Sequence, residues 1–241
     1  MDDMFLRTKA LIGEEGFARL QGAHVAVIGV GGVGGAALEG LVRAGVGRVT
    51  VIDPDVFAAS NRNRQILALC SNEGVAKAEA AKARMLEINP SLKITALQEK
   101  ITPENIGTLM NIHVDFIADC IDDAPAKAAL AAYCKEQKIP LLMCMGTGNR
   151  LSAEGMKIVN FEKTENCPLA KKMRVLLRKE GFSKVRCLYS AVPTLSVAPI
   201  DEAGKRTVGS ISFVPPVAGY RIAEHIITRL LQDQTEQDIP K

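Results

Sequence analysis

The order of segments between residues 24 and 65 is the tightest constraint on this fold. An apolar run, His24-Val25-Ala26-Val27-Ile28, leads into Gly29-Val30-Gly31-Gly32-Val33-Gly34, and a helical pattern continues to Ala44. A second apolar run, Arg48-Val49-Thr50-Val51-Ile52, ends in Asp53-Pro54-Asp55. Strand, glycine turn, helix and strand in that order predict a βαβ unit. Its turn lets a phosphate approach the free N–H groups at the helix N-terminus, so Gly29, Gly31, Gly32 and Gly34 are the expected cradle. Asp53, ending the second strand, stands where an acid takes two ribose hydroxyls, and Asp55 follows it. That much fits a dinucleotide or ATP. The segment Ser60-Asn61-Arg62-Asn63-Arg64-Gln65 separates them. A triphosphate needs Asn and Arg there and a nicotinamide does not: the Arg64 fork suits phosphate oxygens, and Asn61 adds hydrogen bonds without charge. A glycine turn alone fits many folds, and a solvated loop would explain the polar segment alone.

The rest of the chain repeats the rhythm. Residues 8–20 read as an entry helix, 31–44 and 75–88 as helices, and 92–97 as a third strand. A helix over 103–110, a strand over 114–120, a helix over 125–137 and a strand over 140–145 follow, ending in Gly146-Thr147-Gly148. Alternating strands and helices predict an α/β fold with a doubly wound, mostly parallel, Rossmann-like sheet and helices on both faces. Right-handed crossovers place the loops after the strands on one edge, where ligands bind. After residue 148 the pattern loosens: strands over 156–161, 185–190 and 210–214, a helix over 169–179 and a last helix. One domain spanning 1–241 is expected, with an N-terminal arm (1–22), a nucleotide-binding core (23–148) and an antiparallel extension on the substrate side (149–241).

A 47% hydrophobic content with 4% aromatic residues and no Trp suits a core of Ala, Val, Ile and Leu. The formal charge of +3 leaves any nucleic-acid or membrane site to local clustering. None of the six cysteines (Cys70, Cys120, Cys134, Cys144, Cys167, Cys187) forms a C-x-x-C pair, so they read as reduced core residues and no zinc is expected. Cys187 alternates within a strand and is likewise placed in the core. With no apolar leader after Met1, a cytoplasmic protein is expected. The apolar stretch from Ile211 to Leu231 carries Arg221, Glu224, His225 and Arg229 and reads as a core helix, not a membrane span.

Two further positions carry chemistry. Asp119-Cys120-Ile121-Asp122-Asp123 ends the fourth strand on the same edge as the glycine turn. Asp122 is assigned to Mg²⁺ beside a triphosphate, and Asp123 to capping the helix that starts near Pro125; both acids capping or solvated is the alternative. Lys77, among alanines on a helix, is expected to face solvent on spacing alone.

Taken together, Gly29 to Gly34, Asp53-Pro54-Asp55, Asn61 to Gln65, Lys77, Ile88-Asn89-Pro90 and Asp119 to Asp122 resemble the ubiquitin-activating-enzyme-like adenylyltransferase superfamily, whose members activate carboxylates at the α-phosphate of ATP. The resemblance implies that Asp53 holds ribose and that Asn61, Arg64, Gln65 and Lys77 hold the triphosphate. It implies that Asp122 holds Mg²⁺ and that Arg7 reaches across a homodimer to the partner's γ-phosphate. The catalytic set it implies is Arg7, Arg64, Lys77 and Asp122. Within the superfamily the chain is similar to the tRNA threonylcarbamoyladenosine dehydratases. It shares Arg7-Thr8 with Leu11-Ile12-Gly13-Glu14-Glu15, Lys127-Ala128-Ala129-Leu130, Tyr133-Cys134, Lys138-Ile139-Pro140-Leu141, Pro168-Leu169-Ala170 with Arg174, Tyr189-Ser190 and Phe213-Val214-Pro215. It departs at Cys167, where an Asp is expected, and at Ala191-Val192, where a Thr-Glu pair is usual.

This resemblance implies ATP-dependent adenylation and cyclisation of threonylcarbamoyladenosine at position 37 of a tRNA anticodon loop, with possible sulfur-transfer accessory proteins. The alternative is an adenylyltransferase for a ubiquitin-like sulfur carrier. A nicotinamide oxidoreductase or a non-catalytic scaffold would leave Asn61, Arg64 and Asp122 without a role. Independently, Lys171, Arg174 and Arg178 share a helix face that is either a tRNA backbone contact or a solvated basic stripe.

Overall fold

The structure, a computed structural model, describes residues 4–198, 200–202 and 205–241. After α1 (Leu6–Gly22) the chain runs β1 (His24–Ile28), α2 (Gly32–Ala44), β2 (Arg48–Ile52), α3 (Lys77–Ile88) and β3 (Lys93–Leu97). It continues through α4 (Ile106–Leu109), β4 (Phe116–Asp119), α5 (Ala124–Gln137) and β5 (Leu141–Cys144). The extension holds β6 (Met156–Asn160), α6 (Pro168–Lys179), β7 (Arg186–Ser190), β8 (Ile200–Glu202), β9 (Lys205–Thr207) and α7 (Val214–Gln232).

Seven strands form one sheet in the order β3-β2-β1-β4-β5-β7-β6. All neighbours are parallel except β6, which is antiparallel to β7. β1 is buried at every residue and β3, at the edge, is only partly covered, as expected of a sheet roofed on both faces. On one face α2, α3 and α7 contribute Leu38, Leu41, Met85, Ile222 and Ile226. On the other, α4, α5 and α6 contribute Ile106, Leu130, Met173 and Leu177. Each fully buried side chain of this size contributes about 1.5–3 kcal/mol.

The winding runs outward from β1 to β3 in one direction and from β4 onward in the other. The switch point therefore lies between β1 and β4, where the loops after the two strands diverge and leave a crevice.

The extension departs from expectation in two places. β7 inserts between β5 and β6, parallel to the first and antiparallel to the second, so within the seven-stranded sheet β6 alone runs against the rest. The strand expected over 210–214 is absent: Phe213 is the N-cap of α7, and Pro215 and Pro216 occupy its first turn, where a missing N–H costs nothing. The described antiparallel pair β8–β9 lies earlier, before this segment.

Candidate active site

The carboxyl ends of β1, β2, β4 and β5 surround a cavity of about 800 Å³. The turn after β1 forms its floor. Gly29 has φ +82°, open to glycine at little cost, and a Cβ on Gly34 would lie 1.7 Å from the Gly29 carbonyl oxygen. Gly34 thus packs beneath the turn, while Gly29, Gly31 and Gly32 line the cavity.

Asp53, 4% exposed, fastens this turn to β2. Its Oδ2 accepts the Val30 N–H at 2.7 Å and its Oδ1 the Asp55 N–H at 2.9 Å. Burial raises its pKa against the opposing hydrogen bonds and the nearby Lys77 charge. Each carboxylate oxygen retains accepting capacity toward the cavity that Asp53 lines.

Lys77 corrects the solvent-facing expectation. It is 6% exposed, and Nζ lies 2.9 Å from Asp55 Oδ2 on the cavity wall. The reason is its place as the first residue of α3, aimed at the sheet edge instead of along the helix flank.

Asn61, Arg64 and Gln65 also line the cavity. Asn61 Oδ1 accepts the Ala58 N–H at 3.2 Å, and Arg64 Nη1 donates to Ser60 O at 3.1 Å and Asn63 Oδ1 at 2.8 Å. These local bonds hold the side chains in place and leave the rest of the guanidinium free for an anion. Gln65 is 6% exposed, and its Oε1 is buried with no hydrogen-bond partner.

After β4, Asp122 is exposed on the cavity rim and Asp123 caps α5, accepting the Ala126 N–H at 3.0 Å. That loop rests on a pair the sequence reading passed over. Lys127 and Asp119 are both fully buried and 2.9 Å apart, and Lys127 Nζ also donates to Ile121 O at 3.0 Å. Burial raises the Asp119 pKa against the pull of Lys127. A signal was present: Lys127 shares its helical face with Leu130, Ala131 and Cys134, all buried. Arg150 was also missed. Its partners at residues 146, 148, 166 and 192 form no local pattern.

Other expected residues lie outside the cavity lining. Arg7 is exposed on α1. Lys171 is exposed, but Arg174 Nη1 donates to Thr164 O at 2.5 Å and Thr164 Oγ1 at 2.6 Å, and Arg178 pairs with Glu162. The basic face is therefore divided, with two of its three cations engaged inside the molecule.

Cys167 has a structural explanation. It is the N-cap of α6, its Sγ accepting the Ala170 N–H at 3.5 Å, so sulfur fills a position where Asp is a preferred residue. Cys134, Cys144, Cys167 and Cys187 are buried, and burial pushes the Cys144 thiol up to about 12. Cys70 is exposed, against the core expectation, because it lies on a one-turn 3₁₀ segment in the loop before α3. Among the described residues no helix is long and apolar enough to cross a membrane.

The ThiF family model matches residues 6–240. The Bacillus subtilis tRNA threonylcarbamoyladenosine dehydratase is 36% identical over 95% of each chain. The Escherichia coli enzyme of that name is 39% identical over 76% of this chain and 71% of its own. The solved structure of the Escherichia coli tRNA N6-threonylcarbamoyladenosine dehydratase in complex with ATP superposes with a TM-score of 0.87 at 32% identity, covering 97% of this chain and 96% of that one. With a glycine turn, a buried acid and cationic side chains around one cavity, the chain belongs to the ThiF family, in the group of the tRNA threonylcarbamoyladenosine dehydratases.

Proposed function

We propose that this protein uses ATP to adenylate the carboxylate of N6-threonylcarbamoyladenosine at position 37 of a tRNA anticodon loop and then closes the ring. The observation that carries this reading is the convergence of Gly29, Gly31, Gly32, Asp53, Asn61, Arg64, Gln65, Lys77 and Asp122 on one cavity at the switch point. It is supported by dehydratase relatives that match nearly the whole chain. A carboxylate oxygen of the substrate attacks the α-phosphorus, an O–P bond forms, the Pα–O–Pβ bond breaks and pyrophosphate leaves. The carbamoyl group then attacks the activated carbonyl carbon, loses a proton and expels AMP. The chain supplies positioning and charge: Asp53 takes ribose hydroxyls, and the N–H groups of the turn with Asn61, Arg64, Gln65 and Lys77 take phosphate oxygens. Asp122 suits Mg²⁺, being an exposed carboxylate on the cavity with no ion-pair or hydrogen-bond partner among the described residues. The ion would supply charge neutralisation beside the phosphates.

The reading extends to a cytoplasmic homodimer. Arg7 does not line its own cavity, and it sits on α1 between Leu6 and Leu11, 67% and 86% exposed, which favours a face packed against a second copy. Arg7 of one protomer then completes the other's triphosphate site. Mixing Arg7→Ala with Asp122→Ala chains restores activity in part if the site is shared; a monomer in light scattering rejects the dimer. Lys171 is the remaining uncommitted cation of the basic face for the tRNA backbone, and sulfur-transfer proteins are candidate accessories.

Mass spectrometry of tRNA nucleosides from cells with and without the gene tests the function. Loss of the cyclic form and accumulation of linear threonylcarbamoyladenosine are expected on deletion. An unchanged nucleoside profile, with adenylation of a sulfur-carrier C-terminus by the purified protein, would establish the alternative. Titration calorimetry should show ATP binding far tighter than NAD.

A further inference from the structure

Arg150 is 3% exposed, and its partners are main-chain carbonyls. Nη1 donates to Gly146 O and Gly148 O, both at 3.0 Å, Nη2 to Asn166 O at 2.8 Å, and Nε to Val192 O at 3.1 Å. No carboxylate pairs with it among the described residues. A buried guanidinium balanced by carbonyl dipoles alone is costly to assemble, so the three segments it joins are held in one arrangement.

That arrangement has a directional consequence. No cis peptide occurs among the described residues, and in a trans peptide the carbonyl and the following N–H point opposite ways. With the Gly146 and Gly148 carbonyls drawn onto Arg150, the N–H groups of Thr147 and Asn149 turn away from it. Asn149 N–H ends on Gly209 O at 2.7 Å. Thr147 N–H has no protein acceptor among the described residues, and Thr147 lines the cavity.

The sheet order gives this amide a task. β2, β1, β4 and β5 lie side by side, and their ends carry Asp53, the glycine turn, Asp122 and Gly146-Thr147-Gly148 in that sequence. Ribose, phosphates and metal account for the first three stations. The fourth, also on the cavity lining, is left for the second substrate. We propose that the Thr147 N–H, aimed by Arg150, binds the carboxylate of the second substrate and holds its carbonyl oxygen as negative charge builds there during ring closure. Arg150 is a positioning residue for that amide. This rests on the adenylation reading above and names the part of the cavity that receives the acyl group.

Two variants test it. Arg150→Lys keeps the charge but not the fork that holds the carbonyls, and Thr147→Pro deletes the N–H while leaving Arg150 in place. Both should bind ATP within twofold of the parent protein by calorimetry. Both should lose about a hundredfold in kcat for AMP release with tRNA carrying threonylcarbamoyladenosine, the size seen when one oxyanion donor is removed. Hydrogen exchange should quicken at Asn149 and Leu195, whose N–H groups are bonded to Gly209 O and Asn149 O, in Arg150→Lys, and stay unchanged at 29–34. An unaltered kcat in Thr147→Pro, or ATP affinity falling in step with the rate, overturns the proposal. If Arg150→Lys fails to fold, Thr147→Pro decides it. If the parent protein releases no AMP with that tRNA, the adenylation reading fails instead, and unchanged exchange at Asn149 and Leu195 in Arg150→Lys would separately overturn the clamp.

Discussion

The two sides of residue 148 hold their polar groups in different ways. Before it, loops at the cavity edge are fastened mostly by short-range partners or by the next element. Asp123 caps three residues onward, Lys127 ties back to Asp119 eight residues before it, and Lys77 reaches Asp55 across a single loop. Beyond it, order comes from afar. Arg150 reaches Val192, Asn149 takes the Gly209 N–H sixty residues away, and Arg186 meets Asp238. The first region is written in spacing and can be read as motif. The second is written in contacts, so its function depends on chain that sits far away.

This contrast can be broken or sharpened by substitution. The largest effect is expected from Gly34→Ala, because its Cβ would meet the Gly29 carbonyl oxygen at 1.7 Å and backbone cannot step aside. Loss of soluble, ATP-binding protein is the expected outcome; wild-type melting and ATP affinity would mean that the turn is far softer than its geometry. Next comes Lys127→Met, which strands Asp119 as a buried, unpaired acid and should cost about 3–5 kcal/mol in urea denaturation. Adding Asp119→Asn should recover a good part of that. Were the single and double variants equal, the pair would not be coupled.

Asp122→Asn removes a charge from the exposed rim and should lower kcat about a hundredfold while leaving the melting temperature in place. A matching fall in stability would reveal a structural acid. On the other side of the boundary, Cys167→Ala deletes the sulfur cap of α6 and should destabilise by about 0.5–1 kcal/mol in the same urea assay. No change would show the 3.5 Å contact to be incidental.

The smallest effect concerns His24, at the opposite edge of β1, whose Nε2 bonds Thr50 Oγ1 at 2.9 Å while Nδ1 is buried without a partner. Burial lowers its pKa below the ordinary 6.5, against the influence of the nearby His113 backbone, which raises it. A depressed folded-state value means that its contribution to stability is complete above 6.5 and is lost as pH falls through the folded-state value. His24→Asn should therefore flatten the acid limb of a melting-temperature profile below that pH. A parallel slope in both proteins would assign the limb to other groups.

Much of the nucleotide half was legible because its requirements are local. A turn that brings phosphate to helix N–H groups needs glycine at particular steps, and a strand buried on both faces needs an uninterrupted apolar run, so Gly29 to Gly34, β1, β2 and the β4 end could be placed from residue order. Lys77 was misjudged by helical spacing because it begins its helix, where side-chain direction depends on how the preceding loop enters. The strand expected over 210–214 failed for a similar reason: Phe213-Val214 reads as β-forming, but Pro215 and Pro216 start a helix there.

By itself, the sequence determined the order of strands and helices, the glycine turn and the acids that close its neighbouring strands. Those follow from steric and hydrogen-bonding rules that act over a few residues. Only the tertiary structure decided that β7 would insert between β5 and β6, parallel to β5, that two of three cations on one helix face would be engaged internally, and that Arg150 would gather carbonyls from three segments. A charged side chain spends its hydrogen bonds on whatever acceptors the fold brings within 3 Å, and no local pattern records which those are.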